Sequence, residues 1–133
     1  MGQQQLLLIV LGVIIVGIAI VVGINLFNAN AVSSNRDAII SDLNNLGAMA
    51  AQFYMKPTSM GGGGNAYDKS NGASAIWAIP AGLDTTANGV YTATVNAQSI
   101  TITGISTSQK VKGVAVEADA TITPSGTTVA VVQ

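Results

Sequence analysis

Leu6-Leu7-Leu8-Ile9-Val10-Leu11-Gly12-Val13-Ile14-Ile15-Val16-Gly17-Ile18-Ala19-Ile20-Val21-Val22-Gly23-Ile24 contains nothing more polar than three glycines, and no charged side chain occurs between residues 1 and 35. At ~1.5 Å rise per residue this stretch is about 28 Å long, close to the ~30 Å hydrocarbon thickness of a bilayer. A lone segment in lipid must satisfy its own backbone hydrogen bonds, so the stretch is expected to be a helix. On its N-terminal side stand Gln3, Gln4 and Gln5, with no basic residue. A cleaved secretory signal would carry a basic n-region and a shorter apolar stretch, so that alternative is set aside.

On the C-terminal side the helical pattern continues. Asn28, Asn30, Ser33, Ser34 and Asn35 dilute the apolar character, but no Pro or Gly interrupts between Gly23 and Gly47. Ile39, Leu43, Leu46, Ala50 and Phe53 then recur at spacings of four and three, the stripe of an amphipathic helix. Asp37, Asp42, Asn44, Asn45 and Gln52 fall off that stripe. Ser34 followed by Asp37 is an alternative cap for a fresh helix start. Lys56-Pro57 ends the helix, because the residue before Pro is pushed out of the α region. One helix from about residue 3 to about residue 54 is expected, weakest between Gly17 and Gly23, since each Gly costs ~1 kcal/mol relative to Ala.

Residues 57–74, with Gly61 to Gly64, read as a flexible or tightly turning loop. A phosphate-binding loop is not expected: a Walker-type loop needs Gly-Lys-Ser/Thr before a helix, and a dinucleotide loop needs a strand before it. Beyond the loop the period changes from 3.6 to 2. Ala75–Ile79 is a candidate short edge strand or extended segment. Asn88-Gly89 is a turn signal, followed by strand-like Val90–Val95, Ser99–Thr103, Val114–Thr123 and Thr127–Val132. In the third of these, Val116, Ala118, Ala120 and Ile122 share one face, with Glu117 and Asp119 on the other. Short turns between consecutive strands imply an antiparallel meander with one buried face. The expected fold is therefore α+β, a long N-terminal α-helix packed on a C-terminal antiparallel β-sheet. Its segments are an apolar helix half (1–28), an amphipathic half (29–55), a Gly-rich loop (56–74) and the sheet (75–133).

Chemistry-bearing residues are scarce. Five Lys and Arg against six Asp and Glu leave a net charge of −1, too small and too balanced for a nucleic-acid surface. The absence of Cys removes disulfides and thiolate metal sites, and the absence of His removes the commonest general base and metal ligand. Glu117 and Asp119 are neighbouring carboxylates, but on a strand face expected to be wet, with Lys110 and Lys112 as possible partners across a turn. No serine has an activating partner in pattern. No catalytic residue, cofactor or metal is expected, and the chain is not expected to be an enzyme.

An apolar N-terminal helix running into an amphipathic one, then a Gly-rich loop and an antiparallel sheet, resembles a type IV pilin. The specific part of the likeness lies in roughly the first 25 residues. Family members lose a short basic leader to a prepilin peptidase and are methylated at the new N-terminus. The resemblance places Met1 as the mature, N-methylated residue, with Gln5 at the position usually held by Glu. Cleavage after Gly2 would instead make Gln3 first and put Leu7 there. Two departures stand out: Gln5 cannot neutralise a neighbouring ammonium as Glu would, and Val22 stands where a Pro is frequent. The resemblance implies a structural subunit that polymerises with copies of itself, after storage in the inner membrane and with the pilus assembly machinery as partner. It would end in a filament at the cell surface. The assembly residues would be Gln3, Gln4, Gln5, Leu6, Leu7, Ile9, Val10, Val13, Ile14, Gly17, Ile18 and Val21. The alternatives are a pseudopilin of a secretion system and a membrane-anchored extracellular binding domain.

Overall fold

The computed structural model describes residues 2–132. Its first element is a single uninterrupted helix, α1 (Gly2–Met55), of 54 residues. Four strands follow: β1 (Gly89–Val95), β2 (Ile100–Val111), β3 (Val114–Thr123) and β4 (Gly126–Val131). They form one antiparallel sheet in the order β1-β2-β3-β4. The fold is α+β, with the C-terminal half of the long helix packed against the sheet.

The helix runs through Ser34 without a fresh start and through all three apolar-run glycines without a break. Glycine weakens a helix but keeps its N–H, whereas proline would remove a hydrogen bond and clash with the preceding turn. The helix ends where Pro57 forbids α geometry at Lys56.

Ile39, Leu43, Leu46 and Ala50 are buried and carry the helix side of the core. They meet Ile100 and Ile102 of β2 and Val116, Ala118, Ala120 and Ile122 of β3, all buried. The period-2 alternation of β3 decides which face this is, because a one-residue slip would expose every one of those side chains. Gly104 of β2 is what lets the helix come close. A Cβ there would stand 2.8 Å from Tyr91 Cε1 and 2.9 Å from Ile39 Cγ2.

Three local features differ from, or sharpen, what the sequence suggests. Ala75–Ile79 joins no strand ladder; it is extended chain held by the Trp77 N–H, which donates to the Tyr67 carbonyl at 2.9 Å. The second strand does not stop at Thr103 but continues to Val111 through a register shift between Ile105 and Lys110. Ser106 Oγ accepts from the N–H groups of Ser108 (3.3 Å) and Gln109 (2.9 Å), which satisfies backbone donors that the ladder abandons there. The Gly-rich loop turns tightly. It passes its backbone so close to the end of α1 that a Cβ on Gly62 or Gly63 would collide with the carbonyl oxygens of Lys56 and Ala66. That close passage drives Tyr67 into the core, where it is fully buried.

Candidate functional site

Among the described residues, none of the apolar half of α1 is buried by the rest of the molecule. Every residue from Gly2 to Asn30 is exposed, and cover begins only at Ala31 and Val32. Between Leu6 and Phe27 the large side chains are open to between 48% (Leu11) and 73% (Phe27). What is hidden is hidden by the helix's own neighbouring turns, since residues three and four apart overlap. By length and composition this segment is sufficient to cross a bilayer.

Gln3, Gln4 and Gln5 form the first turn, exposed, ahead of this wall. Met1 lies outside the described residues. At ~100° per residue, Leu6, Leu7, Ile9, Val10, Val13, Ile14, Gly17, Ile18 and Val21 occupy about half of the helix circumference. Ile20 and Phe27 fall on the same half, and the other half is just as open, through Leu8, Leu11, Ile15, Val16, Val22 and Leu26. None of these is among the residues expected to drive assembly. Their signal was the absence of any polar stripe, which marks a helix that is covered all round. Around Gly12, Gly17 and Gly23 no atom stands within 4 Å of an added Cβ, so these glycines answer no constraint inside the monomer.

Two polar clusters clamp the covered half of α1 to the rest of the domain. In the first, Asp42 Oδ2 accepts from Tyr91 Oη at 2.6 Å, Asn88 Nδ2 at 3.0 Å and Thr86 Oγ1 at 3.3 Å. The turn that presents those donors is closed by the Thr86 N–H on the Gly89 carbonyl at 2.9 Å. Asn35 Nδ2, two turns back along α1, donates to the Asn88 carbonyl at 3.1 Å. Burial, and then the hydrogen bond to Asp42, push the Tyr91 phenol well above its ordinary pKa. In the second cluster Tyr54 Oη donates to Gln98 Oε1 at 3.0 Å, and Gln98 Nε2 donates to the Asn65 carbonyl at 3.0 Å. The Tyr54 and Tyr67 rings lie 4.9 Å apart, tilted by 41°. Burial, followed by the proximity of Tyr54, raises the pKa of Tyr67.

Glu117 and Asp119 do share the outer face of β3, alternating with buried Val116 and Ala118, but both are partly covered and not fully wet. The register opposes Lys110 to Ala115 and Glu117 to Ile105, so no lysine is paired directly opposite either carboxylate. Among the described residues no three His, Cys, Asp or Glu side chains group as metal ligands. The long apolar N-terminal helix on an antiparallel sheet is compatible with a pilin-like fold. Comparison of the chain with family profiles, curated proteins and solved structures finds no match to any of the three.

Proposed function

We propose that this chain is a structural subunit that polymerises into an extracellular, type IV pilus-like filament by burying its N-terminal helix against those of its neighbours. The observation that carries the proposal is the rigid continuity of α1. The same helix that is clamped into a packed domain from Ala31 onward projects about 43 Å of uncovered helix, about 33 Å of it apolar wall from Leu6 to Phe27. At ~25 cal/mol per Å², covering a dozen of its Ile, Val and Leu side chains yields roughly 20–30 kcal/mol before ordering costs. Lipid supplies that cover for a stored subunit, and a bundle of copies supplies it for an assembled one. A head-to-tail contact between different patches that does not close into a ring builds a filament. In the assembled bundle Gln5, with Gln3 and Gln4, gives the neighbouring N-terminal ammonium an uncharged amide oxygen in place of a carboxylate.

The deciding experiment is electron microscopy of shed surface appendages, with N-terminal sequencing of their subunit. Long fibres composed of this chain support the proposal. Recovery of the chain only as a monomer in the membrane fraction would overturn it in favour of an anchored binding domain, and short stalks confined to a secretion complex would indicate a pseudopilin.

A further inference from the structure

α1 and β2 run side by side in opposite directions, and two contacts set their relative height. Tyr54 Oη reaches Gln98 Oε1 at 3.0 Å, and the site of a Cβ on Gly104 lies 2.9 Å from Ile39 Cγ2. Between Ile39 and Tyr54 the helix rises ~22 Å; β2 from Ile100 to Gly104 covers ~13 Å of this, and the turn carrying Gln98 with the long Tyr54 side chain spans the rest. The contact of Gly104 with Ile39 thus sets the height of β2 against α1.

β1 pairs with β2 only as far as Ser106, and β4 pairs with β3 only as far as Ala118, with one further bond from the Val132 N–H to the Glu117 carbonyl. Beyond these points β2 and β3 continue as a two-stranded ribbon towards the uncovered half of the helix. Measured along β3, whose Ala118 and Val114 pair with Gly104 and Val111, the paired end lies four residues, ~13 Å, beyond Gly104, which brings the ribbon's tip level with roughly residues 28–31 of α1. The burial pattern agrees. Cover on α1 ends at Ala31 and Val32, and Val32 and Val111 both pack partly against the core. The tip is a two-residue turn, Lys112 (φ 51°) and Gly113 (φ 86°), between the paired Val111 and Val114. Two successive positive φ values are what a tight hairpin in a right-twisted ribbon requires. Lys110 and Lys112 are exposed, as is Val114 at 51%.

From Thr107 to Val116 the two lysines are the only charges. Glu117 lies further from the tip, and Arg36 and Asp37 on the adjoining turn of α1 balance one another. We infer that Lys110 and Lys112 form a cationic foot that rests on the anionic lipid headgroups of the membrane holding the N-terminal helix, setting the height and tilt of the domain before assembly. This rests on membrane storage as proposed above. The apolar run ends at Ile24, with Leu26 and Phe27 at its border, so hydrocarbon filled by the run places the headgroup layer around Asn25 to Val32, which includes the level of the tip. Val114 adds apolar surface beside the charges, the combination that suits an interfacial site.

The chain has no Cys, so Ile15→Cys and Val114→Cys each create a single labelling site. The full chain, labelled at one or the other, is reconstituted into vesicles of phosphatidylcholine or of an equal mixture with phosphatidylglycerol. The label at 15 should be shielded from a water-soluble quencher in both. The label at 114 should contact a headgroup-attached quencher more in the anionic vesicles, by about fivefold for each lysine, and K110Q/K112Q or high salt should abolish the difference. An unshielded label at 15 overturns membrane storage and the foot together. A shielded label at 15 with a label at 114 indifferent to lipid charge, or unaffected by K110Q/K112Q, overturns the foot alone.

Discussion

Tyr91, at the start of the sheet, donates its phenolic proton to Asp42 Oδ2 on the long helix at 2.6 Å, across 49 residues of chain. Thr86 and Asn88 donate to the same oxygen, so one carboxylate anchors β1 and the turn before it to α1. A short bond to a charged acceptor that is partly buried is worth more than a neutral surface bond, and losing it leaves polar groups without partners. Tyr91→Phe should therefore destabilise the domain by about 1–2 kcal/mol, read as a drop of several degrees in Tm. Asp42→Ala should cost more, because it strands three donors. Equal stability of wild type and Tyr91→Phe in urea would contradict this account.

Stability should fall in alkali, and the sign follows from the two raised phenols. Burial and Asp42 raise Tyr91, and burial and Tyr54 raise Tyr67, each from an ordinary value of 10.0. The unfolded chain therefore loses these protons first. Their contribution is fully present below pH 10 and is lost as pH rises above it. Urea titrations from neutral pH to above 10 should show decreasing stability, with a shallower fall in Tyr91→Phe. An identical pH slope in the two proteins would remove Tyr91 from the explanation.

Removing residues 1–28 should leave a soluble, folded, monomeric domain that forms no fibres. The described residues of this segment, 2–28, are all exposed and none packs in the core, so the domain keeps its packing. About 105 residues with no disulfide bury a limited core, so the fragment should be only modestly stable. Circular dichroism, sedimentation and negative-stain microscopy check each part. Fibres from the fragment would refute polymerisation through the helix.

Glycines in the two halves of the chain should respond oppositely to alanine. Gly104→Ala drives a Cβ to within 2.8 Å of Tyr91 and 2.9 Å of Ile39, and should destabilise the fold by about 1–3 kcal/mol. Gly17→Ala meets nothing within 4 Å in the monomer and should stabilise the helix by about 1 kcal/mol. In a bundle of close-packed helices, however, the same methyl group holds neighbours apart. Gly17→Ala should thus lower the fibre yield while leaving thermal stability of the domain unchanged.

Gln5→Leu should weaken assembly without altering the folded domain, by roughly 1–2 kcal/mol at each subunit contact. A density map of the filament offers an independent check. It should place an amide of Gln3, Gln4 or Gln5 beside the N-terminus of an adjacent subunit. All three amides in apolar surroundings far from any N-terminus would exclude this role.

Local pattern was enough for most of the architecture. The uncharged run from Leu6 to Ile24, the 3–4 spacing from Ile39 to Phe53 and the alternation from Val114 to Thr123 each report a burial geometry within a dozen or so neighbours. Pro57 marked the helix end for an equally local reason, its clash with the residue before it. The pattern was silent where burial is imposed from a distance. Tyr67 sits in a stretch of glycine, asparagine and serine with no period at all, and its depth follows from how tightly Gly62 and Gly63 pass the end of α1. The extension of β2 to Val111 was hidden because Thr107, Ser108, Gln109 and Lys110 carry no alternation; Thr107 to Gln109 bulge out of the ladder, and only Lys110 and Val111 pair again with β3.

By itself, then, the sequence determined that this chain has a helix with an apolar wall and a second half built to lie on an antiparallel sheet. Those properties are written in residue type and spacing, because hydrophobic periodicity acts over a few turns or a few strand positions. The tertiary structure alone decided that Asp42 is a clamp and not a solvated helix residue. It also decided that cover stops at Ala31 and that Lys112 and Gly113 form the tip of the β2–β3 ribbon. The first two of these join residues dozens of positions apart, and a contact of that kind exists only once the register of the sheet and its height against the helix are set by packing.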